Sequence, residues 1–235
     1  MVSVVVPFYN EEENVRLLAE QIAFVFERLP QFDYECVFVD DGSTDGTGEA
    51  IDELCEADPR VVPIHFPHNR GQSAALLAGM RQAQGEYILT LDGDLQNDPC
   101  DFPDFLERLK TYDCVCGYRA NRNDGWARKA SSVIANKVRN LFLRDGIRDA
   151  GCGAKGFRRE CIGHFVPFNG AHRFFAVFVR AAGRTIVEVP VTHHPRQHGN
   201  SKYGINNRLW RGLYDLVGVA WLRKRLLMFD ADKKE

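Results

Sequence analysis

Residues 2–41 read VSVVVPFYNEEENVRLLAEQIAFVFERLPQFDYECVFVDD, and the fold follows from how this stretch divides. Val2 to Val6 is a β-branched run, apolar except for Ser3, and suits a strand covered on both faces. Asn10, with Glu13 three positions on, forms an Asn-type capping box, and Val15, Leu18, Ile22, Val25, Phe26 and Leu29 recur at helical spacing. Tyr34 to Val39 then repeats the strand pattern. The alternation continues through a helix holding Ala50 to Cys55, a strand Val61 to Phe66, a helix 72–84, a strand Tyr87 to Leu91, a helix 99–110 and a strand Asp113 to Gly117. Parallel neighbours need helical crossovers, so this rhythm predicts an α/β fold: one domain with a doubly wound, mainly parallel sheet and helices on both faces.

After Gly117 the rhythm changes. Residues 119–130 (RANRNDGWARKA) form a polar, basic loop, followed by a helix 129–144, a strand 154–158, a helix 171–182 and a strand Thr185 to Val191. Residues 192–205 (THHPRQHGNSKYGI) are again a basic loop. The reading divides the chain into a domain at 1–205 and a C-terminal amphipathic helix and tail at 206–235.

Of the 235 residues, 45% are hydrophobic and 26% charged, which excludes disorder, collagen and coiled coil. No apolar run approaches the roughly 18 residues of a spanning helix, and Met1 leads straight into strand-like sequence without a basic leader. A protein neither secreted nor integral to a membrane is expected. Its seven cysteines form no C-x-x-C pair and read as reduced, mostly buried thiols of a cytosolic protein. The net charge of -2 conceals a division: residues 1–118 hold 7 Lys and Arg against 23 Asp and Glu, whereas residues 119–235 hold 23 against 9. Either the second half handles an anion or an anionic surface, or the two halves attract each other across an interface.

In open α/β sheets ligands bind beyond the carboxyl ends of the strands. Here those ends are acidic: the first strand leads to Pro7, Tyr9 and Glu11, the second to Asp40 and Asp41, the fourth to Asp92, Gly93, Asp94, Leu95 and Gln96. Carboxylates at neighbouring strand ends repel one another unless a cation or hydrogen-bond donors compensate. Asp92 and Asp94 flank a glycine and can converge on one Mg²⁺ or Mn²⁺ that keeps positions open for phosphate oxygens.

Three other motifs lead elsewhere. Gly151, Gly153 and Gly156 spell G-x-G-x-x-G, but the dinucleotide fingerprint also needs a strand before it and an acidic residue about 20 positions later, where Ala176 stands. A calcium loop counted from Asp40 would need Glu at its twelfth position, which is Ile51. His193, His194 and His198 match no zinc spacing.

The strings VVVPFYNEEEN, VDDGSTDGT, NRGQSAALLAG, LDGDLQNDP, GYR, AGCGAKGFRR and EVPVTHHPRQHGNSKYG span residues 4–204. Together they resemble the family 2 glycosyltransferases of GT-A fold, and within them the polyprenyl-phosphate, dolichol-phosphate-mannose-synthase-like branch. The resemblance implies that Pro7, Tyr9, Glu11 and Asp40, with Asp41 and Gly71 beside them, hold the nucleotide of a GDP- or UDP-sugar. Asp92, Asp94 and Gln96 match the motif for the divalent metal and donor diphosphate; Arg119, Arg128 and Ser132 match the grip on the lipid phosphate. Arg196, Ser201 and Lys202 match a late basic loop over the donor diphosphate. Asp92, Asp94, Arg119 and Arg128 are thus the expected catalytic residues.

The implied reaction is an inverting, Mg²⁺- or Mn²⁺-dependent transfer of a hexose-type sugar to a polyprenyl phosphate. A phosphate-monoester acceptor with a second pKa of about 6 is already largely a dianion at neutral pH and needs no strong general base. Two readings compete: a nucleotidyltransferase that makes a nucleotide sugar, and a catalytically silent nucleotide-sugar-binding module. No nucleic-acid partner is expected, and the sequence fixes no oligomeric state. Many members of the branch append membrane-spanning helices, whereas Leu209 to Phe229 here reads as an amphipathic helix with Arg223, Lys224 and Arg225 near its end. That helix either lies on an anionic membrane surface or packs on the sheet. On the first reading the protein is cytoplasmic and peripheral on the cytoplasmic face of a membrane.

Overall fold

The computed structural model describes residues 1–120, 139–140, 142–143, 145–195 and 205–226. Seven strands form one sheet: β1 (Val2–Phe8), β2 (Tyr34–Asp40), β3 (Val61–His65), β4 (Tyr87–Thr90), β5 (Cys114–Arg119), β6 (Lys155–Arg158) and β7 (Ile186–Val191). Their order is β3-β2-β1-β4-β6-β5-β7. All pairings are parallel except the two made by β6, which runs antiparallel to both β4 and β5.

Helices α1 (Glu12–Phe26), α2 (Thr47–Ala57), α3 (Gln72–Gln82), α4 (Phe102–Leu109), α5 (Phe175–Ala181) and α6 (Ile205–Arg223) cover the two faces. Alternate strand residues feed alternate cores. Val4, Val6, Phe8, Phe38 and Leu89 point to a cluster shared with α1 and α4; Val5, Val37, Val39, Ile88 and Cys116 point to one shared with α3 and α5. Covering both faces explains why these strands read as near-continuous apolar runs.

Three local expectations need correction. Asn10 does not cap α1: it turns left-handed (φ 52), its side chain accepts the N–H of Thr44 at 2.7 Å, and Glu11 takes the N-cap place without a side-chain cap. The helix expected at 99–110 opens as a tight 3₁₀ turn, Pro99–Asp101, capped by Asp98, and the one expected at 171–182 opens as another, Ala171–Arg173. Of the helix expected at 129–144, the described residues 139–140 and 142–143 are helical. Five of the seven cysteines are buried and all are free thiols.

α6 divides its apolar residues between two faces. Leu216 and Val219 are buried in the second core, with Ala220, Leu222 and Leu226 packed against it. Tyr214, Val217 and Trp221 are 83%, 64% and 62% exposed. Val217 therefore lies away from Leu216.

Candidate active site

Because β1, β2 and β4 are parallel and β6 is antiparallel, the ends of the first three and the start of β6 at Lys155 lie on one edge of the sheet. β5 opposes β6 as β4 does, so Arg119, its last residue, reaches the same edge. The chain leaves β1 toward β2 on one side and joins β4 on the other, which opens a crevice at the switch point between β1 and β4. Pro7, Tyr9 and Glu11 thus stand between Asp40 on one flank and Asp92 and Asp94 on the other.

Side chains stitch the loops along this edge. The N–H of Asn10 donates to Ser43 Oγ at 2.9 Å, and that of Glu11 donates to Thr47 Oγ1 at 2.9 Å. Asp40 accepts the N–H of Ser43 at 2.9 Å, and its other oxygen lies 3.5 Å from His65 Nδ1. The buried carboxylate of Asp41 turns the other way: it accepts the N–H groups of Arg70 (2.7 Å) and Gly71 (2.9 Å) and the side-chain amide of Asn69 (3.0 Å). Burial lifts the pKa of Asp41, the Arg70 and Gly71 N–H groups oppose the rise, and the charge of Asp40 adds to it. Asp41 and Gly71, both expected at the nucleotide, are bonded to each other here and fasten the loop that starts α3. With φ at 89°, Gly71 takes a backbone conformation that a side chain would strain.

The turn after β4 is held under tension. Leu95 is left-handed (φ 58), a conformation costing roughly 1–2 kcal/mol for a residue with a side chain. Its side chain is buried in the first core, which keeps the turn in place. Gly93 permits the close approach: a Cβ there would lie 2.5 Å from the buried ring of Phe8. Asp94 Oδ1 accepts the N–H of Gln96 at 3.3 Å.

Sequence reasoning missed the partners of Asp92. Gln72, first residue of α3, donates to Asp92 Oδ1 at 2.6 Å. A Cβ on Gly153 would sit 2.4 Å from the Asp92 carboxyl carbon, so this glycine leaves the space in which the carboxylate lies. The glycine spacing of 151–156 was the available signal: it marks close backbone approach, here to a carboxylate, and leads into strand β6 instead of a helix.

Arg119 is committed to a partner that the sequence did not suggest. Its Nε and Nη2 donate to the two oxygens of Asp149 at 2.7 and 2.9 Å, a bidentate pair in which Nη1 takes no part, and among the described residues Nη1 has no hydrogen-bond acceptor. Burial pulls its pKa down, but Asp149 and the charge of Asp92 more than offset this and hold it above the ordinary arginine value. Arg128, Ser132, Arg196, Ser201 and Lys202 lie outside the described residues.

The donor set suits a hard divalent cation: the turn after β4 carries two carboxylates, and the missing side chain of Gly153 gives the first of them room to lie against the backbone. Among the described residues no group of three or more His, Cys, Asp or Glu side chains encloses an ion. An ion on Asp92 and Asp94 would take further ligands from outside that set.

The family model for glycosyl transferase family 2 matches residues 3–165. Undecaprenyl-phosphate 4-deoxy-4-formamido-L-arabinose transferase of Aeromonas hydrophila is 36% identical over 92% of this chain and 67% of its own length. Dodecaprenyl-phosphate galacturonate synthase of Rhizobium johnstonii is 37% identical over 94% of this chain and 67% of its own. The chain spans about two thirds of the length of these curated relatives. In fold it is similar to glucosyl-3-phosphoglycerate synthase of Mycobacterium tuberculosis, solved with Mg²⁺ and UDP, with a TM-score of 0.68 over 97% of this chain and 81% of that one at 17% identity. A second structure of that enzyme, with Mn²⁺, UDP and glucosyl-3-phosphoglycerate, gives 0.66 at the same coverage and identity. By its acidic GT-A sheet edge and a family match over most of its length, the chain belongs to glycosyl transferase family 2, on the branch of its polyprenyl-phosphate sugar transferases.

Proposed function

We propose that this protein transfers a hexose-type sugar from a GDP- or UDP-sugar to a polyprenyl phosphate, with inversion at the anomeric carbon and with Mg²⁺ or Mn²⁺ held by Asp92 and Asp94. The observation that carries the reading is the gathering of Asp40, Asp92, Asp94 and Arg119 on one sheet edge around the β1–β4 crevice. When bound, the ion neutralises charge developing on the departing diphosphate. Asp40, with Pro7, Tyr9 and Glu11, holds the nucleotide, and Gln96 supports the metal turn. Arg119 offers Nη1 to the acceptor phosphate while Asp149 fixes its plane, and Arg128 and Ser132 complete that grip. The oriented dianion then attacks opposite the leaving group without a general base. Arg196, Ser201 and Lys202 close over the donor diphosphate. The names of the two polyprenyl-phosphate relatives support the acceptor class.

A panel of GDP- and UDP-sugars with undecaprenyl phosphate and Mg²⁺ or Mn²⁺, scored for lipid-linked sugar, tests the reading. Asp40→Ala is expected to weaken nucleotide binding and Arg128→Ala acceptor saturation, each by about tenfold to a hundredfold, the effect of losing a charged contact of roughly 1.5–3 kcal/mol. Absence of lipid-linked sugar across the panel overturns the reading; an effect of Arg128→Ala on nucleotide binding alone overturns the acceptor assignment.

The same proposal includes docking on an anionic bilayer at the cytoplasmic face. Among the described residues no helix is long and apolar enough to cross a membrane. α6 instead presents Tyr214, Val217 and Trp221 outward, with exposed Lys224 and Arg225 beyond its end. Arg223 is different, since it donates to the Leu143 carbonyl. Vesicles rich in phosphatidylglycerol are expected to sediment with the protein at low salt, less so as salt rises, and not with Lys224→Glu and Arg225→Glu combined. No binding by the parent at low salt would remove this part of the proposal.

A further inference from the structure

Lys155 opens β6 on the active-site edge and is 6% exposed. Its ammonium donates to the carbonyl oxygen of Cys152, and among the described residues it forms no ion pair. An ammonium has three N–H donors and a full charge, so burying it beside one carbonyl leaves a strong unmet demand for an anion. Asp92, on the same wall, forms no ion pair with it and accepts from Gln72 at Oδ1.

Lys155 lines a cavity of about 50 Å³ together with Gln72, Thr90, Asp92, Gly153 and His172. That space admits a group of a few heavy atoms and excludes a whole sugar ring. His172 brings no charge to it: burial, then the cations Lys155 and Arg173, push its pKa down to about 3. Ser73 Oγ accepts the backbone N–H groups of Gly170 at 3.0 Å and His172 at 3.4 Å, and it lies 2.7 Å from His172 Nδ1 in a further hydrogen bond. The cavity thus combines a cation that has no ion-pair partner among the described residues with an uncharged imidazole, directly beside the carboxylate assigned to the donor's metal.

We propose that this cavity is an anion subsite for the sugar donor, in which Lys155 takes either a carboxylate carried by the transferred sugar or an oxygen of the sugar-side phosphate. The inference rests on the glycosyl-transfer reading and narrows its substrate class. The two sources share one chemistry and separate by experiment.

Calorimetry on the full chain with Mg²⁺, comparing parent and Lys155→Met, would use UDP, UDP-glucose and UDP-glucuronate, the last two differing only in a carboxylate at C6. GDP, GDP-mannose and GDP-mannuronate form the matching guanosine set. If the sugar carboxylate is the ligand, the parent binds the uronate at least tenfold tighter than the hexose, and Lys155→Met erases that preference while leaving the bare diphosphate unchanged. If the phosphate is the ligand, Lys155→Met weakens all three members of the set by tenfold or more. Replacing an unpaired buried charge by an apolar chain of similar length is expected to hold or raise the unfolding midpoint; should Lys155→Met not fold, Lys155→Gln takes its place. A folded variant that binds all ligands like the parent overturns the subsite while glycosyl transfer stands. A parent that binds neither nucleotide set overturns the glycosyl-transfer reading and the subsite with it.

Discussion

Asp94→Ala is expected to lower sugar transfer by about a thousandfold, the rate equivalent of ~4 kcal/mol, while the unfolding midpoint stays within a few degrees of the parent. The contrast follows from where Asp94 sits. It is half-buried on a turn beyond the end of β4, so truncation leaves no large core cavity. One bond it gives up, from the Gln96 N–H, is long at 3.3 Å. Removing one of the neighbouring carboxylates also relieves repulsion on an edge that carries Asp40 and Asp92. The chemistry has no such tolerance, because the departing diphosphate would lose half of the proposed protein ligands of its counter-ion. Single-turnover transfer and a thermal melt on the same preparation check the pair of expectations. Transfer at the parental rate, or parental activity in excess chelator, would sink the metal role.

Gly153→Ala is expected to cost transfer about tenfold to a hundredfold, in the range seen when the support of a metal ligand is disturbed. The added methyl would lie 2.4 Å from the Asp92 carboxyl carbon, a distance at which one of them must move. Asp92 is the part that can swing, and swinging it breaks the 2.6 Å bond from Gln72. The apparent affinity for Mn²⁺ should fall together with the rate. Gly163→Ala is the control, since a Cβ there meets nothing within 4 Å. Equal activities of the two variants would show that Asp92 needs no such space.

Elements and chemistry were legible in the sequence to different depths. The strands from Val2, Tyr34, Val61 and Tyr87 were legible because a buried parallel strand has a local signature, a short β-branched run between turns. The gathering of Asp40, Asp92 and Asp94 on one edge was legible because the ends of parallel strands share an edge, where ligands bind in such sheets. The direction of β6 was not. KGFR looks the same whether it runs with or against its neighbours, and the choice is made by Ile88 and Leu89 meeting Phe157 and Gly156 about 70 positions away. Asp149 under Arg119, Gln72 on Asp92 and the amides on Asp41 were hidden for the same reason. A carboxylate at a strand end reads alike whichever loop it bonds, and only long-range geometry sends Asp40 to Ser43 and His65 and Asp41 to Asn69, Arg70 and Gly71.

The place of β6 also bears on the order in which the molecule comes together. By the time residue 90 has emerged during synthesis, β1 to β4 and α1 to α3 are available, enough for a four-stranded parallel sheet. One edge of that sheet is β4, whose Ile88 and Leu89 have no neighbour on the far side until residues 155–158 arrive. β5 must wait as well, since both strands it pairs with, β6 and β7, follow it in the chain. An open apolar edge during this interval is a point where a nascent chain can join another instead of itself. The same late segment brings Gly153 and Lys155 to Asp92, so the edge proposed to hold the nucleotide can assemble early while the wall proposed to face the sugar is completed only as the sheet closes.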